Sequence, residues 1–336
     1  MVGRLKELRH LRYFERLLAE PDNELVQQAQ AEGMLVVGYA CAQVPPVLLA
    51  LDRCFPVRLR GGENGFLDGV AALADAPTKL AEHTLRRYVR QLREMLRDMA
   101  AERGADVSDA AMCAAVAERN ELSRVLREIG ALRTQDNAPV TGYEFAVLNG
   151  ISEACPARLI LPKLRETLRE IRRRAPGEKP WYRARVAVVS GNAEPSVIRE
   201  IEAAGVFAAA DCAFCAPGRG EIVLRDGEDI LTQIALHSMK ASLCPRYADG
   251  DKARQRRETV DALARQARAD GIVFAQSPCC ETWALACALE SHVMREDYGW
   301  PVLTVGGHDD SQRLGAFAAR LEDERGRREK EAAEHD

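Results

Sequence analysis

Apolar runs separated by helical patterns dominate the second half of the chain. Four runs have the length and composition of buried strands, and the segments between them repeat apolar residues at helical spacing. The four runs are RVAVVS at 185–190, VFAAAD at 206–211, GIVFAQ at 271–276 and PVLTV at 301–305. Because such an alternation is typical of a parallel sheet covered on both faces, the pattern predicts a parallel α/β domain.

The first half is richer in helical patterns. It contains one clear strand pattern, MLVVGY at 34–39, and a weaker one, PVRLR at 56–60, with a proline-initiated helix between them. The charged, proline-containing stretch at 172–181 is the best candidate for a linker. We therefore expect an α/β fold of two domains with parallel, flavodoxin-like sheets covered by helices, plus helical N-terminal and inserted segments. The predicted divisions are an N-terminal helical segment at 1–30, a first α/β domain with a long helical insertion at 31–175, a second α/β domain at 181–325 and a charged tail at 326–336.

Composition and charge narrow the class of protein. The chain has 336 residues, of which 47% are hydrophobic and 29% charged, and its net charge is −4. This balance is typical of a soluble globular protein and offers no electrostatic reason for nucleic acid or an anionic membrane as a partner. No apolar run approaches the roughly 18 residues of a membrane helix, and the charged N-terminus lacks a signal-peptide pattern. The composition predicts a cytoplasmic protein.

Ten cysteines are many for a cytoplasmic chain, where disulfides are disfavoured and metal or redox chemistry is the better explanation. Cysteines follow three predicted strands: Cys41 after the first, Cys212 and Cys215 after another, and Cys279 and Cys280 after a third. Because ligands of parallel sheets bind beyond the carboxyl ends of the strands, we expect these thiolates to converge. Three thiolates suit a four-iron, four-sulfur cluster with one iron left open to substrate.

The C-x-x-C spacing of Cys212 and Cys215 also suits zinc or a thioredoxin-like redox pair. A zinc ribbon is disfavoured because no second C-x-x-C and no H-x-x-x-H accompanies the pair. A thioredoxin-like pair would open a helix, whereas Pro217 and Gly218 follow at once.

The other cysteines have simpler interpretations. Cys113 and Cys287 lie in helical patterns near apolar faces, so we expect both to pack in the core. Cys155 is expected to fill a loop or the core, whereas Cys54 and Cys244 stay open between structural and ligand roles. The second-rank ligand candidates are Cys212, Cys244, Cys279 and Cys54.

Four segments in order resemble the 2-hydroxyacyl-CoA dehydratase and benzoyl-CoA reductase family. They are GYACAQVPPVLLALDRCFPVRLRG, RNELSRVLREIGALRTQDNAPVTGYE, IREIEAAGVFAAADCAFCAPGRG and DGIVFAQSPCCETWALACALE. The first, third and fourth resemble the segments that carry the family's cluster ligands, and the second resembles a helix and loop that follow the first ligand. Each segment is weak alone, and together they cover nearly the whole chain.

The resemblance implies Cys41 as the first cluster ligand and Cys215 as the second. Cys215 fits better than Cys212 because Arg219 then stands four residues further on, as in the family.

The third ligand implied by the resemblance is Cys280. It fits better than Cys279 because Glu281 and Trp283 then fall on the family's acidic and aromatic positions. The positions expected near the cluster or the substrate are therefore Arg219, Glu281 and Trp283.

Three features depart from the family pattern. Pro46 stands where the family usually has a glutamate, which puts an acid/base role from that carboxylate in doubt. Cys54 replaces a residue that is usually small, and the chain is shorter than typical members. No catalytic residue beyond the ligands is therefore assigned.

The resemblance also implies a mechanism and partners. A separate ATP-hydrolysing iron–sulfur activator passes an electron to the cluster, which reduces a CoA thioester to a ketyl radical or reduces an aromatic ring. The outcome is dehydration of a 2-hydroxyacyl-CoA or reduction of an acyl-CoA, in an anaerobic, oxygen-sensitive enzyme built from two related subunits or a pair of this chain. The chain shows no G-x-x-x-x-G-K-[ST] nucleotide loop of its own. Candidates for contact with CoA phosphates are Arg58, Arg60 and Arg219.

Two alternatives remain open. Some members of the superfamily hold a double-cubane [8Fe-9S] cluster on about six cysteines and reduce small molecules without CoA, and this chain has extra cysteines for such a cluster. A different class is an electron-transfer or cluster-scaffold protein without a substrate, which would need a closed site of four cysteines, for example with Cys244 as the fourth.

Overall fold

The computed structural model of the chain describes residues 5–20, 22–39, 43–59, 76–174, 181–192, 194–214, 220–247, 249–276, 280–306 and 310–334. Its elements are those of a mixed α/β protein with parallel strands, as predicted. In the first half they are α1 Leu11–Ala19, α2 Glu24–Ala31, β1 Leu35–Tyr39, α3 Pro46–Leu49, β2 Cys54–Arg58, α4 Glu82–Arg103, α5 Asp109–Leu132, α6 Gly142–Ala154 and α7 Ala157–Arg173. In the second half they are β3 Ala184–Ser190, α8 Pro195–Ala203, β4 Val206–Ala213, α9 Ile230–Ala241, α10 Gly250–Gln266, β5 Gly271–Ala275, α11 Glu281–Glu296, β6 Val302–Val305 and α12 Asp310–Ala333.

The four strands of the second half form one parallel sheet in the order β4-β3-β5-β6. This is the order 2-1-3-4 along the chain, the arrangement of flavodoxin-like sheets. Helices α10 and α11 cover one face, and α8 and α12 cover the other. The register pairs Ser190 with Ala213 and with Ala275, so the carboxyl ends of β3, β4 and β5 lie side by side. The alternation of apolar runs and helices predicted this sheet correctly.

The described part of the first half contains a parallel pair, β1 and β2. One apolar cluster packs this pair against α4 and α9, and a second cluster joins β2 to α1, α5, α6 and α7. The strand layer is small here because most apolar residues of this half lie on long helices.

Two helices cross the predicted boundary between the halves. Helix α9 belongs to the second half in sequence but packs on α4, and α6 belongs to the first half but packs on α8 and β4. A Cβ atom on Gly142 would lie 2.5 Å from that of Ala208, so the start of α6 rests directly on β4. The division into domains stays a prediction, with α6 and α9 as the contacts between its two parts.

Three local predictions need correction. The proline-initiated helix is shorter than its pattern, because α3 spans only Pro46–Leu49. Strand β2 starts at Cys54, two residues earlier than expected. Cys113 was expected in the core and is exposed on α5, because the buried stripe of that helix passes through Met112 and Val116 instead.

Candidate functional site

Cys280 is the N-cap residue of α11. Its sulfur accepts a hydrogen bond from the backbone N–H of Trp283 at 3.4 Å, and its side chain is partly buried. The positive end of the helix dipole stabilises a negative charge on a sulfur placed there. Glu281 begins the helix and is exposed. A cysteine in this position is therefore suited to coordinate a metal as thiolate.

Trp283 joins the carboxyl ends of three strands. It is fully buried, and its indole N–H donates to the carbonyl of Ala275 at the end of β5, at 2.9 Å. Its ring packs edge-on against Phe214, with 5.3 Å between centroids. A Cβ atom on Gly191, the residue after β3, would lie 2.8 Å from the ring. We call Gly191, Phe214 and Trp283 the aromatic edge.

The carboxyl ends of β1 and β2 carry polar contacts instead. The hydroxyl of Tyr39 donates to the backbone carbonyl of Glu153, and burial raises the pKa of Tyr39. The carboxylate of Glu153 forms an ion pair with Arg58, and these two side chains are only 7% and 8% exposed. We call Tyr39, Arg58 and Glu153 the charged edge.

The two edges are linked. Arg58, the last residue of β2, also donates to the side-chain oxygen of Asn192 at 2.6 Å, and Asn192 follows β3 by two residues. This contact brings the carboxyl ends of the small sheet and of the four-stranded sheet to the same side of the molecule. The sequence predicted that cysteine thiolates converge at the strand ends. The described contacts bring the strand ends together, and the convergence of the thiolates stays a prediction.

A cleft of about 430 Å³ runs beside β4, the edge strand of the larger sheet. Helices α5, α6 and α10 form its other walls. Arg133 crosses from the end of α5 to Asp211 on β4, at 2.6 Å, and stacks its guanidinium on Phe145 at 3.8 Å. The cleft extends to Glu153 and Arg119. It therefore reaches from the end of α5 to the charged edge.

Arg119 lies at that end of the cleft. It is partly buried, and desolvation lowers its pKa despite the opposing effect of Tyr39. Desolvation also lowers the pKa of His237, with a further contribution from Arg119. Sequence reasoning missed Arg119, although a signal was present: it falls on the apolar side of α5, three residues after Val116 and three before Leu122.

The second-rank cysteines are scattered. Cys54 lies at the amino end of β2, opposite the charged edge, and burial raises its pKa to about 11. Cys212 is 2% exposed, within the apolar cluster that contains Trp283. Cys244 lies in the loop between α9 and α10 and packs against the cluster of the first half.

Of the three cysteines expected to pack in the core or to fill a loop, Cys155 and Cys287 are buried as expected, whereas Cys113 is exposed. Cys155 is 3% exposed at the end of α6, and burial raises its pKa to about 12. Cys287 is fully buried in α11, where burial raises its pKa to about 11. Neither thiol is in the state that binds metal, since the thiolate is the ligand form.

Several predicted site residues lie outside the described residues. They are Cys41, Cys215, Cys279, Arg219 and Arg60. Within the described ranges, no group of three or more His, Cys, Asp or Glu side chains has the arrangement of a metal site. Of the three first-rank ligands, Cys280 is therefore the one whose surroundings are seen directly.

A search of curated proteins finds no significant match for this chain. No helix among the described residues is both long and apolar enough to cross a membrane. A family model described as "2-hydroxyglutaryl-CoA dehydratase, D-component" matches residues 70–323, about three quarters of the chain. The matched range includes Cys215 and Cys280 and begins after Cys41. The chain therefore belongs to the 2-hydroxyglutaryl-CoA dehydratase D-component family, as its segments had indicated.

Proposed function

We propose that this chain is the cluster-binding subunit of an enzyme that dehydrates a 2-hydroxyacyl-CoA. Family membership supports a dehydratase-type component of a multi-component enzyme. The observation that carries the finer proposal is the meeting of strand ends, in which Arg58 contacts Asn192 and Phe214 contacts Trp283. The proposed cluster ligands are Cys41, Cys215 and Cys280. In sequence, Cys215 follows Phe214, Cys280 is three residues before Trp283, and Cys41 is two residues after the end of β1.

The surroundings of Cys280 fit an iron ligand. Its sulfur is held at a helix N-terminus by the N–H of Trp283, and it is partly accessible. The aromatic edge beneath it is apolar and inaccessible to solvent, because Phe214 and Trp283 are both fully buried. A four-iron cluster bound there would supply low-potential electrons to a thioester.

The other residues of the site would hold and orient the substrate. The cleft beside β4 leads to the charged edge, so an elongated ligand lying in it would place one end beside the proposed cluster. The ion pair of Arg58 with Glu153 keeps this end rigid, since both groups are buried and each is satisfied by the other. The proposed role of the chain's own residues is therefore binding, orientation and exclusion of water.

The positions of the remaining cysteines favour one cubane over a double cubane. Cys54 lies at the amino end of its strand, and Cys54 and Cys155 are held as buried thiols of raised pKa. A double cubane needs about six thiolates around one point. Cys244 packs against the cluster of the first half, whereas Cys212 is buried in the apolar cluster against which Cys280 also packs.

The first experiment is iron and sulfide analysis of protein purified without oxygen. We expect about four irons per chain. Cys41→Ser, Cys215→Ser and Cys280→Ser should each lose most of the iron, whereas the matched control Cys287→Ala, seven residues from Cys280 on the same helix, should keep it. About eight irons would favour the double cubane, and bound zinc without iron would contradict both cluster assignments.

The second experiment tests dependence on partners. We propose that the chain acts with an ATP-dependent iron–sulfur activator and with a related subunit or a second copy of itself. The protein supplied with ATP and a mild reductant should not turn over 2-hydroxyacyl-CoA until the activator is added. Steady turnover without activator or ATP would contradict electron injection and point to Lewis-acid dehydration. Formation of an enoyl-CoA rather than a reduced acyl-CoA would distinguish dehydration from reduction.

A further inference from the structure

Arg119 differs from every other charged residue that lines the cleft. Arg127 pairs with Glu221, and Arg133 pairs with Asp211. Glu153 pairs with Arg58. Across the described ranges, Arg119 makes no hydrogen bond or ion pair with the protein. Among the residues that the structure describes, Arg119 is therefore the one positive charge of the cleft wall that lacks a paired counter-charge.

Arg119 also lies at one end of the cleft. Arg119 lines both the large cleft and a smaller cavity of about 30 Å³ that it shares with Glu153 and Cys155. Its guanidinium is thus at the end of the cleft nearest the charged edge. Arg133 lies 14 residues further along the chain, which corresponds to about 21 Å along α5. The unpaired charge and the Arg133 pair therefore mark the two ends of an elongated site.

An unpaired guanidinium removed from bulk water is costly unless a ligand supplies the opposite charge. Desolvation lowers the pKa of Arg119, and Tyr39 and His237 beside it carry no negative charge near neutral pH. The carboxylate of Glu153, which lines the same cleft, is already paired with Arg58. A carboxylate or phosphate can accept two parallel hydrogen bonds from a guanidinium, which gives affinity together with a defined orientation.

We propose that Arg119 binds an anionic group of the CoA-thioester ligand in this cleft. The inference rests on the proposed function, because it assumes that the cleft holds the thioester. Two parts of such a ligand carry the required charge: a carboxylate on the acyl chain and the phosphates of CoA. The nearness of Arg119 to the strand ends favours the acyl chain, since the reacting end must lie beside the proposed cluster.

The test is calorimetric binding of three probes, glutaryl-CoA, butyryl-CoA and CoA, to anaerobically purified protein. The wild type is compared with Arg119→Met, Arg119→Lys and the control Arg124→Met, whose arginine lies on the same helix outside the cleft lining and pairs with Glu121. If Arg119 contacts a carboxylate, glutaryl-CoA should bind the wild type more tightly than butyryl-CoA. Arg119→Met should then lower the affinity for glutaryl-CoA alone, by about 10- to 100-fold. Arg119→Lys should recover part of the loss, and Arg124→Met should change the affinities little.

The other outcomes separate the two sources of the anion. An equal loss of affinity for all three probes in Arg119→Met supports the inference, with a CoA phosphate as the bound group. Unchanged affinities in Arg119→Met overturn the inference and leave the proposed function intact. A wild type that binds no thioester contradicts the proposed function and the inference together. The melting temperature of Arg119→Met should equal or exceed that of the wild type, which excludes misfolding as the cause of lost binding.

Discussion

The charged edge and the aromatic edge occupy equivalent places at the ends of parallel strands, yet different forces hold them. Glu153 and Arg58 form a buried ion pair, supported by the contact of Tyr39 with the backbone of Glu153. The aromatic edge instead consists of Trp283 and Phe214 in contact above Gly191. One edge depends on charge compensation, and the other depends on the volume that glycine leaves open.

This difference predicts which kind of substitution destabilises each edge. A buried ion pair contributes little net stability as a pair, but removal of one partner leaves an uncompensated charge. A packed aromatic ring is insensitive to charge but cannot accommodate added atoms. The charged edge should therefore be most sensitive to loss of a charge, and the aromatic edge to a gain of volume.

The largest effect is expected for Glu153→Gln. Loss of this carboxylate removes the counter-charge that the structure describes for the buried guanidinium of Arg58, so the free energy of unfolding should fall by about 3–5 kcal/mol in denaturant titrations. The double variant Arg58→Met, Glu153→Gln should recover much of the loss. The matched control Glu258→Gln breaks an exposed pair with Arg254 and should cost less than about 1 kcal/mol. Equal losses in the two glutamine variants would show that the Glu153 pair has no special role.

The next largest effect is a pH dependence of the free energy of unfolding. It arises at the N-terminus of α6, the helix whose last turn contains Glu153 of the charged edge. Glu202 accepts hydrogen bonds from the backbone N–H groups of Gly142 and Tyr143, and burial raises its pKa to about 7. A carboxyl group with a raised pKa stabilises the fold below its ordinary pKa, near 4.5, and loses this contribution as the pH rises through 7.

The measurement is the difference in unfolding free energy between the wild type and Glu202→Gln as a function of pH. Between pH 4.5 and 7 the wild type should lose up to about 3 kcal/mol relative to the variant, which does not titrate. A difference that stays constant over this range, or that moves in the opposite direction, would contradict the raised pKa.

A smaller effect is expected at the aromatic edge. Gly191→Ala adds a methyl group 2.8 Å from the ring of Trp283, so it should destabilise the protein by about 1–3 kcal/mol and change the tryptophan fluorescence. Gly315→Ala is a control of opposite sign, because this helical glycine has open space around it and alanine should stabilise α12 by about 0.5–1 kcal/mol. Destabilisation by both variants would point to a general intolerance of the chain rather than to contact with Trp283.

The smallest effects concern the two cysteines that were assigned to plain packing. Cys287→Ala should cost about 1 kcal/mol, because the thiol is fully buried beneath the aromatic edge. Cys113→Ala should change stability by less than about 0.5 kcal/mol, because Cys113 is exposed. Paired thermal melts measure both, and a larger loss for Cys113→Ala would indicate that its surface is covered in solution.

Much of the larger sheet was predictable because its strands are short apolar runs between helices, a pattern that only a buried parallel sheet satisfies. The placement of Cys280 at the end of a strand was predictable for the same reason. The exposure of Cys113 was not, because α5 has apolar residues on more than one side and its buried stripe is chosen by the neighbouring helices. The packing of α6 and α9 on the opposite half of the chain could not be predicted either, since it depends on contacts between residues far apart in sequence.

By itself, the sequence determined the parallel α/β class, the strands and helices of the second half, the family, and the concentration of cysteines after strands. These features depend on local periodicity and on the order of segments along the chain. Only the tertiary structure decided that Glu153 would face Arg58 and that Trp283 would contact three strand ends. It also decided that Arg119 would line a cleft without a counter-charge among the described residues. The physical reason is that pairing and burial of charges depend on three-dimensional distances, which residues far apart in the sequence, such as Arg58 and Glu153, acquire only when the chain folds.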